Sequence, residues 1–444
     1  MHSRLIPFIT ALACLQLVSC SNSETALRKR ITEGVGAIRM IDTHEHLSPE
    51  KQRAEQKLSL FTTLHYAVSD MWADGLDRRL ADSVFSDPEI PLETKWALFA
   101  PYWANTRNTA YSRNLLRALN DLYGIDRIDE STYVELSEKI RQANHPGRYE
   151  EVLRRRAGID LAICDSGLET REMDPALFRG VYRFDDFLLP WNSFSEVEKT
   201  WGVEIKTLED WEKALDKAFG QVKDWGYVGV KCGIAYNRTL SFEPVARPAA
   251  EKIFNVLAAD RNLFDSLSFQ EKKPLQDYMF SRIAGLCSRY DLPLQIHTGL
   301  FYDTWRNVTQ TDPSRLIPFI LNHRDTRFVL MHCGYPYGRE LLAMAKNLPN
   351  VTLDMCWIYI ISPRFAADFI DEAIETLPQD KVLGFGGDFV VPEGSYGHAM
   401  LCRVVVSRVL ADKVLAGYWS EEEALEYARA ILRENAIKVF KLKL

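Results

Sequence analysis

Eight short apolar runs, separated by stretches of helical periodicity, constrain the fold of this chain more than any other feature. They fall at residues 38–47, 160–166, 182–190, 227–235, 292–300, 327–335, 351–359 and 381–389. Most are apolar at consecutive positions rather than alternate ones, the pattern of strands covered on both faces. Helix start signals lie between them, among them Thr207-Leu-Glu-Asp210 and Ser420-Glu-Glu-Glu423; the second opens a final helix with apolar spacings of three and four. Strand alternating with helix eight times predicts an α/β chain folded as a (β/α)8 TIM-type barrel over residues 38–444.

Two spacings break the rhythm. About a hundred residues separate the first run from the second, and residues 92–104, 111–123 and 131–143 within them have helical patterns, the last with a capping box at Thr132-Tyr-Val-Glu135. A second long connection covers residues 237–281. Structureless loops of these lengths are uncommon in compact domains, so a large helical cap at residues 48–157 and a smaller insertion are expected over one end of the barrel. The charges, net −7 over 444 residues, are interspersed and leave no basic stripe for nucleic acid. Small-molecule chemistry in a homo-oligomeric enzyme is the expectation instead.

Residues 1–19 read as a signal peptide, with a polar start carrying Arg4 and an apolar stretch from Leu5 to Val18, too short to span a bilayer as a mature helix. The stretch ends in Leu17-Val18-Ser19-Cys20, which resembles a bacterial lipobox. Cys20 is then the lipidated residue, residues 20–37 a tether, and the cell envelope the location, on the outer membrane or facing the periplasm. The other mature cysteines sit mostly in apolar runs with no CxxC pair, so a disulfide framework is not expected.

The chemistry is concentrated where the apolar runs end. Asp42-Thr43-His44-Glu45-His46 closes the first run, and strand residues two apart point to one side, so both imidazoles can reach one metal. His297 follows Leu-Pro-Leu-Gln-Ile, His332 follows Phe-Val-Leu-Met, and Asp388 follows Val-Leu-Gly-Phe-Gly-Gly. In a parallel barrel all such ends meet at one face, where active sites lie.

The set His44-x-His46, Ile296-His297-Thr298-Gly299, Met331-His332-Cys333-Gly334 and Gly386-Gly387-Asp388, with the closing Asn435-Ala436 helix, resembles the amidohydrolase superfamily in its amidohydrolase-related (type 2) branch. Lys95 to Trp103, Tyr111 to Leu122 and Tyr123-Gly-Ile-Asp126 are similar to the helical cap of uronate isomerases, and Ser395-Tyr396-Gly397-His398 resembles the segment after their last strand. Those isomerases carry no His-Cys-Gly motif at the sixth strand, so the chain departs from them there. The resemblance implies His44, His46 and Asp388 as metal ligands, with His297 a further ligand or close neighbour. It implies His332 as a contact to substrate or bound water, and Asp388 as the acceptor of the water's proton.

Imidazole and carboxylate ligands suit Zn²⁺, with Mn²⁺, Fe²⁺ and Ni²⁺ as alternatives. Lys231, in Val228-Gly-Val-Lys-Cys-Gly233, leaves the count at one or two ions: it is a bridging carboxylated lysine, a substrate-facing ammonium or a lysine buried beside a carboxylate. Arg306, Tyr302, Trp357, Tyr335 and His398 each follow a motif strand and are candidate substrate contacts, Arg306 as a bidentate carboxylate clamp. His65 and His145 read as structural residues of the cap. The expected reaction is attack of metal-activated water on an amide, lactone or ester carbonyl of a small polar substrate, such as a sugar acid. Isomerisation of a uronate and nonoxidative decarboxylation are the alternatives.

Overall fold

The structure, a computed structural model, describes residues 23–189 and 193–444. The signal peptide and the lipidation site Cys20 lie outside the described residues. Eight strands form one sheet in sequential order: β1 (Met40–Glu45), β2 (Ile159–Cys164), β3 (Phe178–Arg183), β4 (Gly229–Cys232), β5 (Leu294–Ile296), β6 (Phe328–Leu330), β7 (Val351–Asp354) and β8 (Val382–Leu383). Each pairs in parallel with the next. The circle is closed by backbone amides across β1 and the segment after β8: Thr43 N–H to Phe385 O at 3.1 Å, Asp388 N–H to His44 O at 2.8 Å and His46 N–H to Phe389 O at 2.9 Å. The chain is a TIM-type barrel, and its closure lays Asp388 directly beside the two histidines of β1.

Inside the barrel Ile41, Leu161, Ile163, Val181, Val329 and Leu383 pack together, joined by Phe440 and Leu442 from the C-terminal segment. A larger apolar layer lies between the strands and the helices around them, including Leu208, Trp211 and Phe219 of the helix Leu208–Asp224. That helix begins with the capping box read in the sequence, Thr207 Oγ1 accepting from Asp210 N–H at 3.1 Å. The box at Ser420 and Glu423 also forms, but the one at Thr132 does not. Thr132 instead turns its hydroxyl back to Arg127 O at 3.0 Å, and Glu135 pairs with Lys139 along the helix.

Two other expectations are corrected, the third strand and the tether. The third strand is Phe178–Arg183 rather than 182–190; Phe187 lies in a 3-10 turn, buried on Trp211 with ring centres 4.6 Å apart. Its apolar run fills the space under a helix rather than extending a strand. The second insertion is not separable from the barrel, because its last helix, Phe269–Arg289, is also the crossover into β5. The expected tether is helical over 23–37, with Ile31 and Val35 fully buried against the barrel layer and Arg30 bonded to Glu421.

The connection after β1 builds a cap with its own core, in which Phe61, Phe99, Trp103, Leu119 and Leu136 are buried together. Phe99 has no exposed surface and sits 5.4 Å from Trp103 and 5.7 Å from Phe61, ring centre to ring centre. Replacing Phe99 by Ala should destabilise the protein by about 3–5 kcal/mol, the usual effect of emptying an aromatic site. A urea unfolding curve within 1 kcal/mol of wild type (about the scatter of surface substitutions) would contradict a cap packed in this way.

Candidate active site

The C-terminal ends of the strands converge as the sequence pattern requires. His44 and His46 lie on the same side of β1, and their Nε2 atoms stand 3.6 and 3.2 Å from Asp388 Oδ1. His44 has no exposed surface, and burial first, then the Lys231 charge, drives its pKa well below the ordinary imidazole value. A neutral imidazole is the form that ligates a cation. Burial would raise the Asp388 pKa, but hydrogen bonding with His46 and the surrounding imidazoles hold it well below the usual carboxylate range.

His297 and His332 form a second pair, Nδ1 to Nε2 at 3.0 Å. Their outer nitrogens face backbone carbonyls, His297 Nε2 at 2.9 Å from Leu300 O and His332 Nδ1 at 3.2 Å from Cys356 O. A neutral imidazole has one N–H, so two rings that both donate outwards turn lone pairs towards each other. A proton or a cation between them relieves that repulsion. Burial lowers the His332 pKa to about 4 and that of His297 well below its ordinary value, which disfavours the proton. Asp388, His332 and Cys356 also have ligand atoms within 4.8 Å of one another, as do His44, His46 and Asp388.

These observations test whether a divalent cation fits. Three neutral or anionic donors with spacings of 3.2–3.6 Å match ligands held about 2.0–2.2 Å from a shared centre. His46 also has the outer hydrogen bond that ligating imidazoles usually make, Nδ1 at 3.2 Å from Asp165 O. The residues present fit the group. His297 lies outside the three-residue cluster in this geometry and joins the site through His332.

Backbone conformation marks the same face. His332, Trp357 and Asp388 follow β6, β7 and β8, and have φ of 64°, 69° and 63°, left-handed values that cost a non-glycine residue about 1–3 kcal/mol. Strain of this kind persists where surrounding structure enforces it, and it clusters at functional sites.

Lys231 is buried on β4, its Nζ 3.5 Å from His44 Nε2 and 2.7 Å from Met331 Sδ. Among the described residues it has no direct carboxylate partner, and burial lowers its pKa, followed by the Arg183 charge. Arg306 is tied to Asp303 through Nε and Nη2, at 3.0 and 2.8 Å, and to Tyr236 O at 3.2 Å. Tyr302 sits under the cap with its ring against His65, Tyr66 and Trp72. Trp357 stacks on Tyr66 with centres 4.8 Å apart. Tyr335 packs on Phe365, and His398 is wholly buried, its Nδ1 3.1 Å from Gly387 O. Those two support the scaffold around Gly299 and Asp388 and are not brought to the cluster.

Three side chains join the site that the motif spacing did not single out. Tyr66, from the cap helix Tyr66–Ala73, donates its hydroxyl to Asp388 Oδ2 and to Asp388 O, both at 2.8 Å. Asp165, just past β2, stands 3.9 Å from both His44 Nε2 and His46 Nδ1 and accepts from Arg183 Nε at 2.8 Å. His65, read as structural, has φ 38° and stacks between Tyr66, Tyr302 and Phe389. Asp165 ends an apolar run as the named ligands do, so the same rule reaches it; nothing local in the cap announces Tyr66.

Residues 266–442 match the family model described as Amidohydrolase, a span that holds His297, His332 and Asp388. That span of the barrel is similar to the amidohydrolases. Protein fluG of Emericella nidulans is 28% identical over 228 residues, half of this chain but 26% of its own length, so the chain spans about a quarter of that relative. Among solved structures, glucuronate isomerase of Caulobacter crescentus superposes with a TM-score of 0.77 at 18% identity, covering 95% of each chain. Uronate isomerase of Thermotoga maritima gives 0.76 at 16%, over 94% of this chain and 97% of its own. A candidate metal-dependent hydrolase of Lactobacillus casei gives 0.69 at 20%, over 93% and 99%. At these identities the superpositions establish the fold alone: the barrel and its cap share it with the uronate isomerases.

Proposed function

We propose that this protein is a metal-dependent hydrolase acting on an amide, lactone or ester of a small polar substrate, including sugar acids. The observation that carries the reading is the convergence of His44 Nε2, His46 Nε2 and Asp388 Oδ1, with His332 beside them, at the C-terminal mouth of the barrel. A divalent cation, which His44, His46 and Asp388 would hold with His297 as a further donor, would supply Lewis acidity and lower the pKa of its water towards ~7. Zn²⁺ suits this donor set best, with Mn²⁺, Fe²⁺ and Ni²⁺ as alternatives.

The chain's own groups then divide the work. Asp388, ionised and fixed through Oδ2 by Tyr66, accepts the proton of the attacking water at Oδ1. His332, whose Nδ1–H is directed to Cys356 O, turns its Nε2 lone pair into the site and accepts a hydrogen bond there from the substrate or from water. The cap lays Tyr66 over the site against Tyr302 and Trp357 from the barrel loops, and the three rings exclude bulk water from it.

One observation favours a second reading, aldose–ketose isomerisation of a uronate. Tyr66 and Asp388 form a direct acid–base pair, and moving a proton between adjacent carbons needs such a pair rather than an attacking water. Turnover of lactones, amides and uronates in H₂¹⁸O separates the two. Hydrolysis places one ¹⁸O in the product carboxyl; uronate converted without ¹⁸O in a new carboxyl establishes isomerisation and removes the hydrolase reading.

Metal analysis after mild purification should return one or two ions per chain, and chelation should abolish turnover, with recovery on adding Zn²⁺ or Mn²⁺. One ion per chain at full activity counts against Lys231 as a bridge between two. Envelope anchoring through Cys20 is a separate proposal. Cys20→Ala should move the protein from the membrane fraction to the soluble one, and an unchanged distribution contradicts the lipid anchor.

A further inference from the structure

The two acidic residues of β1 that flank its first ligand are unused by the chemistry above, yet both are wholly buried. Asp42 Oδ1 accepts from His44 N–H at 3.1 Å and from Gly387 N–H at 3.0 Å. Glu45 Oε2 accepts from Phe389 N–H at 2.7 Å. Gly387 and Phe389 are the immediate neighbours of Asp388, whose φ of 63° is left-handed. The backbone on both sides of the strained residue is therefore held by side chains of the strand that carries His44 and His46.

The fit on the Gly387 side is close. A Cβ at position 387 would stand 1.9 Å from Glu45 Oε1, so only glycine lets the acidic side chain reach this depth. Asp42 and Glu45 thus act on one loop, Asp42 holding the amide before Asp388 and Glu45 the amide after it. A buried amide left without its acceptor is costly, so losing either side chain frees the strained loop to relax.

We propose that Glu45 is a positioning residue: with Asp42 it grips the amides on either side of Asp388 and holds that carboxylate against the His44 and His46 imidazoles. The proposal rests on the reading of His44, His46 and Asp388 as metal ligands. Supporting groups of this kind typically change metal affinity by about 10–100-fold when removed.

The test uses Co²⁺ as the probe, because its visible d–d bands report the number and geometry of its ligands. The full chain, stripped by chelation, is titrated with Co²⁺ while absorbance and competition with a chelator are followed. Glu45→Asp keeps the carboxyl group but is one methylene too short to reach Phe389 N–H; it should weaken Co²⁺ binding by about 10–100-fold and shift the bands. Glu45→Gln keeps an oxygen for Phe389 N–H, so it should retain the wild-type bands and bind within about threefold, well short of that loss. Circular dichroism of the stripped proteins checks the fold; should Glu45→Asp not fold, the Gln variant decides, since loss of the wild-type bands in it overturns the grip. Wild-type bands and affinity in a folded Glu45→Asp also overturn the proposal and leave the metal reading standing. Absence of saturable Co²⁺ binding by the wild-type chain overturns the metal reading and this proposal with it.

Discussion

Asp388→Asn should lower kcat by about 10³-fold or more while leaving the fold intact, the scale expected for removing a general base. The carboxylate has two tasks that a carboxamide cannot both perform. Oδ1 faces two imidazole Nε2 atoms, at 3.2 and 3.6 Å, and Oδ2 accepts the Tyr66 hydroxyl at 2.8 Å. An asparagine oriented to keep an oxygen towards the imidazoles points its NH₂ at Tyr66 and has no charge with which to take a proton. The other orientation presents NH₂ to the imidazoles and opposes a cation there. Measured together, turnover and metal content separate the tasks: Asp388→Ala should lose metal, and Asp388→Asn should lose turnover even where metal is retained. Asp388→Asn with metal bound and most of its activity intact would remove Asp388 as the base. Tyr66→Phe should act more gently, about 10-fold in kcat, since it deletes one hydrogen bond to the carboxylate.

The barrel was legible in the sequence because its strands are buried on both faces and so appear as uninterrupted apolar runs. The candidate cluster was legible for a related reason: a polar residue that ends such a run has to lie at the barrel mouth, and His44, His46 and Asp388 all do. The third strand was misplaced because Leu177 to Arg183 and Phe184 to Leu189 are both apolar-rich, and the second of these buries its side chains from a turn. Tyr66 was not legible at all. It lies in a cap helix whose pattern encodes only the cap's own packing, and it reaches Asp388 across 322 residues of chain through the docking of cap on barrel. Spacing placed Arg306 after its strand but gave no sign of the partners its guanidinium has there, Asp303 and the Tyr236 carbonyl. Spacing fixes what a strand end presents; it carries no information about how a separate layer folds over it.

That docking itself depends on one buried carboxylate, and Glu393→Ala should cost about 3–5 kcal/mol, the effect of leaving buried charges without their partner. Glu393, in the helix Pro392–Leu415 after β8, has no exposed surface. Arg53, at the start of the cap, donates Nη2 to both of its oxygens at 2.8 and 3.0 Å, and Tyr123 donates its hydroxyl at 2.7 Å. Arg148, at the end of the cap, places Nη2 3.8 Å from the same carboxylate and 3.1 Å from the Tyr123 hydroxyl. The carboxylate thus draws both ends and the middle of the cap onto the helix that follows Asp388. Burial would raise the Glu393 pKa, but the Arg53 and Arg148 charges outweigh it and hold the group below its ordinary value. A folded-state pKa below the unfolded one gives stability that is fully present above the unfolded value of about 4.3 and is lost as pH falls through the folded value. The stability gap between wild type and Glu393→Gln, measured by urea unfolding, should therefore be constant near neutrality and narrow as the pH falls below about 4. Because Asp388 precedes this helix by a few residues, a loosened cap should also withdraw Tyr66 from the carboxylate, so Glu393→Gln should lower kcat under conditions where the barrel remains folded. A gap that stays constant down to pH 3, or a variant with both stability and kcat unchanged, would show that the cap is held by its apolar contacts alone.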